Sequence, residues 1–439
     1  MTMPIAGIGT DAPVSDARAV HIIGGHRLTG TTAVQGSKNI ALHLYAAAIL
    51  ADEPVTLRGA PEILDTRVVA DILHRTGTVV TVAGDEFATS PADSCLAVVP
   101  DELGRRIRTT AVIGGALLAR SGKVTFPLPG GDAFCARRID RHLAAMKAAG
   151  AEVEVGEGRV RARFTGKRVP FTTDAETSSW GPSLGATVTA MLLAVRTTGT
   201  SVILNPSLEP EVAHTAALLS QAGVGIEWQG RAALHVTGVG HVRGGVFSVP
   251  PDRLEAATLA LAAAITGGSV QLEGFPLAAF PDGLLSVFAD AGLQLAPLGS
   301  GTVVSAPGGL HAVQMATGPH PGFPTGVQPQ LTALLTQAEG TSRIRERVYI
   351  RRDTHLPALA AFGASVNTTG SLITVQGRSV LRAADVVGKD IRAATALVLA
   401  ALAAEGTSTI RGMYHLRRGY GSLLPKLAAL GARVTIRQE

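Results

Sequence analysis

Sulfur and aromatic rings are scarce in this 439-residue chain, which has two cysteines, two tryptophans and only 4% aromatic residues. Cys95 and Cys135 supply neither a disulfide framework nor a thiolate metal cluster, and a reducing, cytoplasmic setting is the simplest expectation. Histidines at HxxxH or HExxH spacing are missing as well, so no metal site is expected, and His320, His355 and His415 read as structural. No stretch approaches the ~18 apolar residues of a membrane span, so no membrane association is expected. Charged residues make up 17% with a net charge of +5. No Lys/Arg block carries interleaved aromatics, which argues against nucleic acid. Residues 1–18 lack a basic start followed by an apolar core and read as a flexible tail rather than an export signal.

What is present is a regular repeat in a chain that is 46% hydrophobic. Six β-rich runs begin Pro54-Val55-Thr56-Leu57, Gly122-Lys123-Val124, Gly199-Thr200-Ser201, Gly268-Ser269-Val270, Gly340-Thr341-Ser342 and Gly406-Thr407-Ser408. Each leads through a polar turn into a helix that closes on glycine: Gly77, Gly150, Gly223, Gly292, Gly363 and Gly431. The glycines are 73, 73, 69, 71 and 68 residues apart. Strands alternating with Ala/Leu helices indicate an α/β fold. Units this long exceed the ~20–50 residues of ordinary solenoid repeats. They suit two compact trios, with a crossing near Val249-Pro250-Pro251-Asp252. The expected domains are 38–250 and a discontinuous partner made of 19–37 plus 251–439, because the strand around Val20 needs a sheet to join.

Two segments stand out chemically. Gln35-Gly36-Ser37-Lys38-Asn39 places a lysine at a helix N-terminus, where the dipole disfavours a cation unless an anion lies between them. A solvated lysine after a turn is the alternative. The second segment runs from Phe126 to His142 through Leu128-Pro129-Gly130-Gly131-Asp132. Its glycines permit a mobile loop, and its arginines and length suit either a lid or a surface charge cluster. Arg108, Arg392 and Arg418 are further candidates, since a guanidinium grips phosphate or carboxylate in a forked geometry. If all the strand-to-helix turns face one cleft, their dipoles add to these cations and attract a polyanion.

These residues resemble the enolpyruvyl transferases, in particular the branch acting on UDP-N-acetylglucosamine. The resemblance runs from about Val20 to the C-terminus. It rests on Gly36-Ser37-Lys38-Asn39-Ile40-Ala41-Leu42, Leu128-Pro129-Gly130-Gly131, Ser183-Leu184-Gly185, Glu209-Pro210-Glu211, Pro251-Asp252-Arg253-Leu254-Glu255, Pro319-His320-Pro321-Gly322-Phe323-Pro324-Thr325, Asp390-Ile391-Arg392 and Arg418-Gly419-Tyr420. It implies a two-domain inside-out α/β barrel of six βαβαββ units, three per domain. It implies transfer of the carboxyvinyl group of phosphoenolpyruvate to a uridine nucleotide hydroxyl with phosphate release, and no cofactor. Lys38, Arg108, Arg137, Arg392 and Arg418 are then the phosphoenolpyruvate grip. Asn39, Arg137, Arg138, Ile139, Asp140, Arg141, His142, Ser183, Leu184, Gly185, Gly326 and Val348 face the nucleotide. Lys38, Asp132 and Arg418 are the implied catalytic groups.

The chain also departs from that family. The usual loop cysteine is Asp132, which as an acid requires a carboxyl pKa raised toward neutrality, an effect that desolvation on loop closure would have and that the nearby Arg137 would oppose. The aspartate expected to take the acceptor proton is Gly326, which can take none. Arg138 and Arg141 are new beside the uridine-reading strip, and Gly181 stands where a lysine is usual. A cleft altered only on its acceptor side also suits a nucleoside monophosphate such as UMP, as in nucleoside-antibiotic pathways. A ligand-binding paralogue with slow or no turnover is the non-catalytic alternative.

Overall fold

All six runs expected to open a unit are strands, and all six closing glycines take left-handed backbone, with φ between 90° and 111°. The computed structural model describes residues 18–91, 95–135, 137–176 and 181–438. The expected tail therefore lies outside the described residues, apart from Arg18. The helices that end on these glycines are Leu64–Arg75, Asp140–Ala148, Pro210–Gln221, Asp282–Asp290, Leu356–Ala361 and Leu423–Ala429. Each uses glycine where a Cβ would strain the αL turn that ends it.

The fold is mixed α/β. Five of the six opening strands pair antiparallel with the last strand of their unit's hairpin; the sixth, Thr407–Arg411, pairs instead with Arg18–Ile23. All but Lys123–Pro127 also pair parallel with a short strand from elsewhere; Thr200–Leu204, for example, pairs antiparallel with Ala233–Thr237 and parallel with Thr172–Asp174. Two connections close the pattern over long distances. Gly245–Ser248 returns to pair with Val55–Arg58. The N-terminal strands serve the far end of the chain: Arg18–Ile23 lies between Thr407–Arg411 and Arg433–Gln438, and Thr29–Ala33 pairs with Ser269–Glu273. Six separate open sheets result, and none closes on itself among the described residues.

Two hydrophobic cores form. One draws on residues from Ile40 to Val249, the other on Val20, Ile22, Leu28 and residues from Leu254 to Ala432. At the centre of the first lie the helices Lys38–Ala48, Thr110–Ser121 and Leu184–Ala194. At the centre of the second lie Arg253–Ile265, Gln328–Leu335 and Ile391–Ala403. These six are buried on nearly every face, which explains why Leu184–Ala194 shows no polar stripe. Their threonines stay satisfied by bonding back one turn, as Thr258 does to the Leu254 carbonyl at 2.7 Å and Thr395 to that of Ile391 at 2.7 Å.

The chain passes between the cores twice, side by side. The Ser37 amide donates to the Pro250 carbonyl at 2.7 Å, and the Asp252 amide to Gln35 at 2.8 Å. This junction sets the starts of two central helices against each other. Ser37 caps one and Asp252 the other, and the Lys38 amide donates to Asp252 Oδ2 at 3.2 Å.

Candidate active site

Lys38 is the first residue of its helix and only 6% exposed, so the solvated reading fails. The anion that makes the position tolerable is Asp65, whose Oδ2 lies 2.8 Å from Lys38 Nζ. Asp65 sits in the first turn of Leu64–Arg75, where a carboxylate complements the helix dipole. Arg418 closes the cluster from the other core. It donates to both oxygens of Asp65, at 2.9 and 3.1 Å, and to Asp132 Oδ1 at 2.5 Å. Burial would raise the Asp65 carboxyl, but Lys38 and Arg418 hold it below its usual range. Burial, reinforced by Arg418, lowers the Lys38 ammonium against the pull of Asp65.

At Asp132 the two opposing influences are both present. Burial does push its carboxyl upward, yet Arg418, His415, Lys38 and Arg137 together hold it far below the ordinary carboxylate range. Held by these groups, Asp132 is an anion. His415 faces it, with Nδ1 3.7 Å from Asp132 Oδ1. Two cations, Lys38 and Arg418, are thus balanced by two carboxylates, Asp65 and Asp132. If the loop withdraws Asp132, the nest becomes net positive and fit for a phosphate.

The loop is held by further arginines. Arg137 donates to the Asp132 carbonyl at 2.9 Å and Arg108 to the Arg138 carbonyl at 2.5 Å. Burial and the neighbouring Arg137 lower Arg108 to about 10. Phe134 lies between two guanidinium groups, Arg137 at 5.1 Å from its ring and Arg352 at 4.2 Å.

Arg352 belongs to a second cationic group, around Gly326. It is buried, donates to the Thr325 carbonyl at 2.7 Å, and has an Nε with no hydrogen-bond partner among the described residues. A Cβ added at Gly326 would lie 3.6 Å from Arg392 Nε and 3.1 Å from Leu254 Cδ1. Arg392 bonds to the Tyr420 hydroxyl, and Asp390 caps its helix through the amides of Arg392 and Ala393. Glu346 organises the facing loop. It accepts from the hydroxyls of Thr317 and Thr325 and from the amides of Val348 and Tyr349.

On the remaining side, His142 is buried and bonds to Thr189 at 2.8 Å, and burial and Arg108 lower it to about 3, so it is neutral. Its ring covers Gly185, where a Cβ would meet Cε1 at 2.7 Å. Ser183 caps the helix that contains both glycine and threonine. Ile139 is buried, Arg138 and Asp140 are exposed, and Arg141 is half-buried near Asp174. Gly181 has φ +83° and a Cβ there would strike Pro319 Cγ at 2.9 Å, so no side chain fits. Asn39 is half-buried beside Lys38.

Residues 22–427 match the family model described as EPSP synthase (3-phosphoshikimate 1-carboxyvinyltransferase). The chain belongs to this family of enolpyruvyl transferases. It is 39% identical over 424 residues to a UDP-N-acetylglucosamine 1-carboxyvinyltransferase of Hyphomonas neptunium, covering 94% of this chain and 97% of that one. It is 40% identical over 419 residues to the protein of that name from Maricaulis maris, covering 94% and 97%. Among solved structures, the enolpyruvyl transferase NikO of Streptomyces tendae superposes with a TM-score of 0.87 at 26% identity over 96% of this chain and 99% of that one. An EPSP synthase from Acinetobacter baumannii shares the fold, with a TM-score of 0.76 at 17% identity over 96% of this chain and 100% of that one.

This enolpyruvyl transferase gathers Lys38, Asp132 and Arg418 into one cluster, although they are far apart in sequence: Arg418 touches Asp132 directly, and Asp65 joins Arg418 to Lys38. Arg108 and Arg137 border that cluster through the loop, while Arg392 and Gly326 adjoin one another beside it. Sequence reasoning missed Asp65, Arg352 and Glu346. An aspartate in the first turn of an apolar helix was a visible sign for the first. The other two had no sequence signal, since their partners lie on separate loops.

Proposed function

We propose that the protein transfers the carboxyvinyl group of phosphoenolpyruvate to a hydroxyl of UDP-N-acetylglucosamine and releases phosphate. The observation that carries this reading is the buried Lys38–Asp65–Arg418 cluster with Asp132 seated on it. Such a nest is preorganised for a phosphate, and it is self-neutralised until one arrives. Phosphate on Lys38 and Arg418, bordered by Arg108 and Arg137, leaves the phosphoenolpyruvate carboxylate for Arg392 and Arg352. The acceptor then lies against Asn39, Ser183, Leu184, Gly185, the strip Arg137 to His142, Gly326 and Val348. The relatives at 39–40% identity support the acceptor.

The buried central helices, with three separate sheets to each core, support the inside-out barrel. Two separate cores joined by one double crossing support two domains that close on substrate, the second including residues 19–37. The uncrosslinked cysteines are consistent with the cytoplasm, where phosphoenolpyruvate and nucleotides are found.

Arg138 and Arg141, together with the sterically closed Gly181, favour a second reading, a uridine monophosphate acceptor. Phosphate release from phosphoenolpyruvate, measured with each nucleotide in turn, tests both. Release with UDP-N-acetylglucosamine supports the first reading. Release with UMP alone replaces it, and release with neither refutes both.

A further inference from the structure

Addition across the phosphoenolpyruvate double bond removes one proton from the acceptor oxygen and places one on the methylene carbon. Few side chains around the cleft are free to handle them. Asp65 spends both oxygens on Lys38 and Arg418. Asp252 and Asp390 cap central helices, and Asp390 also takes the Thr354 hydroxyl. Glu346 accepts four hydrogen bonds that fix its loop. Gly326 offers no side chain. Asp132 differs on two counts. It sits on the Pro-Gly-Gly loop, and although its Oδ1 meets Arg418 and faces His415, its Oδ2 makes no hydrogen bond to a described residue. Arg392, against which Gly326 is set, is also within electrostatic reach of Asp132.

We infer that Asp132 is a single proton shuttle, acting first as base toward the acceptor hydroxyl and then as acid toward the methylene carbon. This rests on the enolpyruvyl-transfer reading above. In the addition, the acceptor O–H bond breaks and its proton passes to the carboxylate. The acceptor oxygen bonds to C2, and the π pair takes the proton from Asp132 to make a methyl group at C3. In the elimination, Asp132 removes a proton from C3 and the double bond re-forms. The C2–O bond breaks with its electron pair leaving on phosphate, which takes the proton from Asp132 as it departs from Lys38 and Arg418. One carboxylate on the loop makes a second at position 326 dispensable.

The test uses the full chain with phosphoenolpyruvate and the uridine nucleotide that the wild type turns over, following phosphate release by Asp132→Cys, by the double variant Asp132→Cys/Gly326→Asp, and by His415→Asn. Asp132→Cys is expected to lose about 10²–10⁴-fold, because a thiol acid is left without a base. Adding Gly326→Asp, whose Cβ meets only the flexible end of Leu254 closely, is expected to regain at least about tenfold of that loss. Retention of activity by Asp132→Cys would overturn the shuttle, as would failure of the double variant to recover. Loss in His415→Asn with retention in Asp132→Cys would assign the proton to the imidazole and overturn it too. A wild type inactive with every nucleotide overturns the enolpyruvyl reading itself, and the shuttle with it. The variant ratios, by contrast, judge the shuttle alone.

Discussion

The guanidinium of Arg352 lies 4.2 Å from the centre of the Phe134 ring, linking the glycine-rich loop to a segment of the other core. Tyr349 meets the same ring edge-on at 5.3 Å. Because Arg352 is buried, this contact is made away from solvent, where cation–π attraction is strongest.

Phe134→Ala removes that tie. At about 1–2 kcal/mol for a desolvated cation–π pair, closure weakens roughly 5–30-fold. The expected result is a raised KM for phosphoenolpyruvate and faster proteolytic cleavage within residues 129–138. Unchanged cleavage would show that the loop is held by Arg418 and Asp132 alone.

Asp65→Asn leaves Lys38 and Arg418 as neighbouring buried cations. Breaking a buried pair on one side typically costs about 3–5 kcal/mol. Denaturant unfolding should show a loss of that order, and millimolar inorganic phosphate should recover more stability in the variant than in the wild type. A loss below about 1 kcal/mol would mean that water already screens the nest.

Two buried imidazoles set a pH dependence. His142 and His355 are each lowered to about 3, both chiefly by burial, with Arg108 and Arg352 respectively adding to it. In the unfolded chain they protonate near 6.5, so between about pH 6.5 and 3 the unfolded state binds more protons than the folded one. Their stabilising contribution is complete above pH 6.5 and is lost as pH falls. Each adds a slope of about 1.4 kcal/mol per pH unit in that window. His142→Gln should reduce the slope by that amount, as read from urea midpoints at pH 4.5, 5.5 and 6.5.

The epoxide fosfomycin alkylates a loop thiolate in enzymes that carry one. Asp132 provides none, and burial raises the Cys135 thiol, so little thiolate forms there. Intact mass after incubation should show no adduct on either residue.

The repeat was legible because each unit announces itself locally, with β-branched residues at the strand and glycine at the αL turn after the helix. The cationic residues were legible because arginine and lysine are conspicuous in an apolar chain. Asp65 was harder to see, since its meaning depends on Arg418, 353 residues away. The charge state of Asp132 could be read only in part from the loop, which carries Arg137 but not Arg418, His415 or Lys38. Desolvation and cations pull that carboxyl in opposite directions, and what decides between them is the gathering of Arg418, His415, Lys38 and Arg137 around it, with Arg418 foremost at 2.5 Å. The sequence placed Gly326 on the acceptor side. Its position against Arg392 came from the packing of two separate helices.

In the proposed reaction Lys38 and Arg418, held by Asp65, grip the phosphate of phosphoenolpyruvate for transfer. The most direct test is ³¹P NMR of phosphoenolpyruvate with UDP-N-acetylglucosamine and the wild type, beside Lys38→Ala and Arg418→Ala. Inorganic phosphate should appear with the wild type in proportion to acceptor consumed, and at least about 10²-fold more slowly with either variant. Phosphate release at the wild-type rate from both variants would contradict it.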